Sequence, residues 1–203
     1  MQPNSASNLP EGYTDLPAGK LANVVTCLEM RERPPLRSER GTPAWSLVHV
    51  ERPELGWYRA LFERIGEPYL WFSRLAMDDV KLAAIVHDPA VEVYALRDGG
   101  HDAGILELDF RTEGECELVF FGVTQDLVGS GAGRWLMNRA IVRAWSQPIR
   151  RFWVHTCTLD HPSAVEFYVR SGFVPFKRQI EIYDDPRLTG VLPRAAAPNV
   201  PLI

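Results

Sequence analysis

The stretch that most constrains this chain runs from Cys116 to Ser146, "CELVFFGVTQDLVGSGAGRWLMNRAIVRAWS": a strand-like run, then three glycines in five positions, then an apolar pattern of helical period. Trp135, Leu136, Met137, Ala140, Ile141 and Ala144 recur at helical spacing, so a helix starts directly after the glycines. A strand that enters glycines and leaves as a helix presents several backbone N–H groups at the positive end of the helix dipole. Such a nest suits an anion, most often a phosphate. Glycine fits because side chains would block close approach and because some positions need positive φ.

Of two nucleotide loops, one fails on detail and the other matches only weakly. A Walker loop needs Lys and then Ser or Thr after its last glycine, whereas Arg134 and Trp135 follow Gly133. A dinucleotide fingerprint needs GxGxxG opening a parallel sheet, whereas the spacing here is GxGxG and the preceding strands look antiparallel. A plain glycine-rich turn remains the alternative to a phosphate cradle, and context must decide.

That context is a mixed succession of elements. "LANVVTCLEM" (21–30) reads as a strand and "RERPPLRSERGTP" (31–43) as a loop broken by prolines. A strand from Trp45, a helix opened by Pro53 with Leu55, Tyr58, Leu61, Phe62 and Ile65 on one face, and a helix over 77–89 follow. Strands at 91–99 and 103–111, joined by "DGGHD", and a third at 116–124 predict an antiparallel meander. After the glycine-headed helix come a strand "RRFWVHTCT", a short helix "PSAVEFYVRSGF" and a last strand ending near Asp185. The predicted fold class is therefore mixed α/β. Residues 1–19 read as a flexible arm, 20–185 as a single domain with an extra strand at 21–30 and a core at 45–184, and 186–203 as an irregular tail.

Composition narrows the function classes. At 203 residues and 46% hydrophobic content the chain suits one compact core. No apolar run is long enough to cross a bilayer and the start lacks a signal-type segment, so a soluble, cytoplasmic protein without a membrane partner is expected. Cys27, Cys116 and Cys157 form no CxxC pair and are expected to be reduced. The formal charge of −4 is spread rather than blocked, so nucleic acid is not an expected partner.

Two segments, in this order and spacing, resemble the GNAT superfamily of acyl-CoA-dependent N-acetyltransferases. The glycine loop is similar to the family's Arg/Gln-x-x-Gly-x-Gly/Ala signature, with Val128 in the Arg/Gln position, Gly129 as a common extra glycine, and Gly131-Ala132-Gly133 as the core. "HPSAVEFYVRSGF" is similar to the pattern Asn-x-x-Ala-x-x-x-Tyr-x-x-x-Gly-Phe, with Ala164, Tyr168, Gly172 and Phe173 in register and His161 in place of Asn. The resemblance covers about residues 45–184. It implies a mixed sheet of about six to seven strands flanked by about four helices, antiparallel in its N-terminal part and splayed between the fourth and fifth core strands. Acetyl-CoA would lie in the splay as co-substrate. Its pyrophosphate would rest on Val128, Gly129, Ser130, Gly131, Ala132, Gly133 and Arg134, with its pantetheine arm along Phe121, Gly122 and Val123, and His161 nearby. Homodimers are common in such a family.

The implied reaction needs a neutral amine, a stabilised oxyanion and a proton for the departing thiolate. With an ordinary pKa near ~10.4, only about one lysine-like amine in a few thousand is neutral at pH 7, so a base helps. Glu117, eleven residues before Val128 on the fourth core strand, resembles the glutamate base of the family's histone-type members; Glu107 and Asp109 on the adjacent strand are substitutes, and a solvent-facing strand residue is the bland reading. Strict alternation puts Glu115, Glu117 and Val119 on one face, opposite Cys116 and Leu118. Tyr168 is the implied proton donor to the thiolate, against a plain core aromatic, and a backbone N–H near Val123 is the oxyanion donor. His155, Cys157 and His161 invite a zinc site, but no fourth ligand completes it and no metal is expected; Cys157 as a nucleophile would need His155 or His161 as base. "EPYLWFSR" (67–74), between the first two helices, is the expected wall of an apolar or aromatic acceptor pocket. The expected activity is acetyl transfer from acetyl-CoA to a primary amine by direct attack in a ternary complex. The alternatives are a non-catalytic acyl-CoA-binding or regulatory module and a dinucleotide-binding oxidoreductase.

Overall fold

The computed structural model describes residues 11–39 and 44–203. Residues 1–10 of the expected arm and 40–43 of the expected loop lie outside the described residues; residues 11–18 are exposed and have no helix or strand. Strands β1 (Lys20–Met30) and β2 (Ser46–His49) precede helices α1 (Leu55–Gly66) and α2 (Asp79–Val86). Strands β3 (Val91–Asp98), β4 (His101–Asp109) and β5 (Glu115–Val123) follow, then α3 (Ala132–Ala144), β6 (Arg151–Cys157), α4 (Ala164–Arg170) and β7 (Val174–Asp184). The mixed α/β class and the seven-strand, four-helix content among the described residues agree with the sequence expectation.

Helix starts follow side-chain chemistry. α1 begins two residues later than Pro53 suggests because Glu54 is the N-cap, its carboxylate accepting from the N–H groups of Gly56 and Trp57 at 3.0 Å. α2 is capped by Asp78, which accepts from the Lys81 N–H at 2.8 Å. Both helices bury apolar stripes, including Tyr58, Phe62, Ile65 and Leu82, on one face of the sheet. On the other face α3 buries Trp135, Leu136, Met137, Ala140, Ile141 and Ala144, the residues that carried its pattern.

One sheet holds all seven strands in the order β2-β3-β4-β5-β6-β1-β7. β1, expected as an addition to the core, is instead an interior strand, antiparallel to both neighbours, with Val25 opposite Cys157 of β6 and Gln179 of β7. Its burial agrees: Val25, Cys27, Leu28 and Met30 are all buried. β5 and β6 are parallel, and their pairing runs only from Glu115–Arg151 to Leu118–Val154. Beyond that the two strands part. No helix among the described residues is long and apolar enough to cross a membrane.

Candidate active site at the strand splay

The parting of β5 and β6 opens a cavity of about 680 Å³, lined by Phe121, Gly122 and Val123 on one side and by His155, Thr156 and Cys157 on the other. A bulge starts it. The β4–β5 register slips where Glu107 faces Phe120 and Leu108 faces Leu118, leaving Val119 unmatched. The strict alternation expected through Val119 therefore ends at Leu118. Phe121 and Val123 pack with the α3 core, while Phe120 packs against Phe62 and Trp71 on the α1 side. The Thr124 N–H donates back to the Ala103 carbonyl of β4 at 2.9 Å. Successive strand N–H groups point to opposite edges, so the Val123 N–H faces the gap.

The glycine loop meets the same cavity and is held by its own short bonds. The N–H groups of Val128 and Ser130 donate to the Gln125 and Leu127 carbonyls at 3.2 Å, and Ser130 Oγ donates to Leu127 at 2.7 Å while accepting from the Ala132 N–H at 3.2 Å. Trp135 N–H donates to Gly131 at 3.0 Å. The N–H groups of Gly129, Gly131, Gly133 and Arg134 have no partner among the described residues. Gly129 (φ 82°) and Gly131 (φ 102°) sit in the left-handed region, which only glycine enters freely. Four free N–H groups at the head of α3 fit a pyrophosphate without help from Val128, whose half-exposed side chain lies at the lip.

Tyr168 reaches the cavity from α4, buried to 7% exposure, between Phe121, Phe167 and Phe173. Burial first, and then the negative charge of Asp160, push its phenol well above the ordinary value. It is a protonated donor at any physiological pH. His161 lies at the cavity wall and accepts from the Ser163 N–H at 3.1 Å, so the imidazole holds the turn that leads into α4.

Glu117 does not line the cavity; it contacts His155, which does, with Oε1 3.3 Å from Nδ1. That hydrogen bond is the main reason the imidazole's pKa is raised, outweighing the opposite effect of burial. Glu107 is fully buried and bonded to Arg74 at 2.5 Å and to the Tyr58 hydroxyl; Asp109 is bonded to Arg111. Neither substitute carboxylate faces the cavity. Cys157 does, but burial, followed by Asp160, pushes its thiol up to about 11, which disfavours a thiolate nucleophile. Among the described residues no group of three His, Cys, Asp or Glu side chains is arranged to hold a metal ion.

The segment 67–74 forms the opposite wall with Tyr69, Leu70, Trp71, Phe72 and Arg74. Asp160, which spacing had not singled out, ties this wall to β6: it accepts from Trp71 Nε1 at 2.9 Å, Thr156 Oγ1 at 2.7 Å and the Cys157 N–H at 2.8 Å. Phe72 packs against Tyr183 of β7 in a tilted pair with centroids 5.0 Å apart. Leu70 packs with Leu192, Ala196 and Ala197, so the irregular C-terminal tail buttresses the wall from behind.

The sequence profile of the Acetyltransferase (GNAT) family matches residues 57–173. No curated protein sequence matches the chain. Among solved structures it is similar to a GCN5-related N-acetyltransferase from Sphaerobacter thermophilus (TM-score 0.56, 16% identity, 80% of this chain and 52% of that one). A functionally unknown conserved protein from Staphylococcus epidermidis gives TM-score 0.55 and 16% identity over 82% of this chain and 63% of that one. The ribosomal-protein-S18-alanine N-acetyltransferase from Escherichia coli gives TM-score 0.53 and 15% identity over 70% of this chain and 94% of that one. The chain thus spans 63% and 52% of the first two, and at these identities the likeness is one of fold. With the family profile covering more than half of its length, the chain belongs to the acetyltransferase (GNAT) family.

Proposed function

We propose that the chain transfers an acetyl group from acetyl-CoA to a primary amine within a ternary complex, in the cytoplasm, with residues 20–185 acting as one domain. The observation that carries this is a single cavity that joins four free loop N–H groups to a protonated phenol and an imidazole–carboxylate pair. Acetyl-CoA, when bound, supplies an activated acetyl thioester. The N–H groups of Gly129, Gly131, Gly133 and Arg134 hold its pyrophosphate, and the backbone of Phe121 to Val123 aligns the pantetheine arm. The Val123 N–H, aimed at the gap, is the donor for the developing oxyanion.

His155 takes a proton from the amine, directly or through water, and Glu117 acts through it by holding Nδ1 and stabilising the imidazolium. This assigns Glu117 a positioning role behind the base. Tyr168 gives its proton to the departing thiolate. The aromatic wall of Tyr69, Trp71 and Phe72 supports an acceptor with an apolar body beside its amine.

The test is a thiol-release screen with acetyl-CoA over polyamines, amino acids, aminoglycosides, arylalkylamines and peptide N-termini, alongside calorimetry with CoA and NAD. CoA binding with amine-dependent thiol release is expected. Tight CoA binding without turnover of any amine would leave a binding module, and NAD binding without CoA binding would sink the proposal.

A further inference from the structure

Residues 31–39 precede the segment shared with the family, yet they are bound down over α3 and the end of α4. Arg134 Nη1 donates to the Ser38 carbonyl at 3.0 Å, and Asn138 Nδ2 donates to the Arg37 carbonyl and to the Glu39 carboxylate, each at 2.8 Å. Arg139 pairs with Glu39 as well. At the far side Pro34 lies so close to Gly172 that a Cβ there would come within 2.8 Å of the proline ring. The strap is thus fixed at several points, and it carries Arg37 to the cavity wall.

Three guanidiniums line the cavity at that end: Arg37 from the strap, Arg134 from α3 and Arg170 from α4. Arg170 also pairs with Glu166 at 2.6 Å, while the Glu39 carboxylate of the strap is taken up by Asn138 and Arg139. Arg37 has no ion-pair partner among the described residues, and Arg134 keeps a buried Nε without a hydrogen bond. Burial, together with the fields of Arg134 and Arg170, lowers the pKa of Arg37, the signature of like charges held together. In a chain of net charge −4, a cluster assembled from three separate elements asks for an anion. The loop N–H groups already suffice for a pyrophosphate. Guanidinium forks suit a further, doubly charged phosphate monoester.

We propose that Arg37, with Arg134 and Arg170, forms a second anion site that takes the 3′-phosphate of CoA, so that the N-terminal strap sets a preference for CoA over dephospho-CoA. This rests on the acetyl-CoA reading above, and the experiment separates the two. Calorimetric titration of the wild-type chain should show CoA binding about tenfold or more tighter than dephospho-CoA, as charge-assisted bonds to one phosphate allow. Arg37→Ala should cut that preference to about threefold or less while leaving dephospho-CoA affinity within about twofold, with Arg170→Ala acting in the same direction. Equal wild-type affinity for the two ligands would overturn the site, as would an Arg37→Ala loss equal for both, which would assign Arg37 to the pyrophosphate or to folding. Binding of neither ligand by a wild-type chain with native circular dichroism would end the acetyl-CoA reading itself.

Discussion

Tyr168 and His155 meet one cavity from α4 and from β6, and acidic neighbours favour the proton on both. Tyr168 is kept neutral by burial and by Asp160, which suits a proton donor. Tyr168→Phe should lower kcat by about a hundredfold, the scale of a lost general acid, with CoA affinity by calorimetry unchanged within about twofold. His155 is favoured in its charged form by the Glu117 hydrogen bond, so its folded pKa lies above the ordinary ~6.5. A base works unprotonated; activity should therefore rise with pH through that raised value. Glu117→Gln removes the cause, and the acid limb of the kcat/KM profile should move down toward ~6.5. The stability effect has a matching sign: the charged pair contributes fully below ~6.5 and is lost as pH rises through the raised value, so Glu117→Gln should lower Tm at pH 5.5 and much less at pH 9. A limb that stays put would deny the pair its role. The family resemblance was enough to single out Glu117, but not to see His155 as its partner, because the β5–β6 register joins residues almost forty positions apart. The partners of Glu107 were hidden for the same reason, since Arg74 and Tyr58 reach it from other elements.

At the scale of elements, the 67–74 wall of the cavity depends on a tail with no helix or strand. Arg187, almost fully buried, pairs with Asp185 at 2.7 Å and donates to the Val200 carbonyl at 2.8 Å, closing the tail on itself while Leu192 and Ala196 pack against Leu70. Arg187→Ala leaves the buried Asp185 carboxylate without its cation and should cost about 3 kcal/mol or more. At this size that lowers Tm by roughly 6–12 °C in a thermal melt. Loosening should also raise KM for the acceptor more than KM for acetyl-CoA, because the tail supports the 67–74 wall and not the loop. The tail's irregularity was legible in its prolines, yet its docking was not, since Pro193 and Pro198 break the helix that the i, i+4, i+8 spacing of Leu192, Ala196 and Val200 would otherwise suggest. α3 shows the contrast: every residue of its sequence pattern is in the core, because an amphipathic stripe declares its own buried face.

For the whole molecule, the family-matched segment 57–173 is not a self-sufficient body, because β1 fills the sheet between β6 and β7. A fragment of residues 44–203 would expose the edges of both neighbours and lose the fully buried Leu28, and should show no cooperative melt by circular dichroism. A cooperative transition near that of the full chain would refute this. Pattern alone identified β1 as a strand but put it outside the core, as its alternation says which face is buried and nothing about which strands it joins. The same placement bears on how the chain is made. Among the strands of this sheet, β1 is made before the other six and pairs only with β6 and β7, so it must wait through synthesis of everything between Met30 and Arg151 before it has a neighbour. Closure of the sheet is then a late, long-range event, the kind that slows folding and leaves open edges in nascent chains.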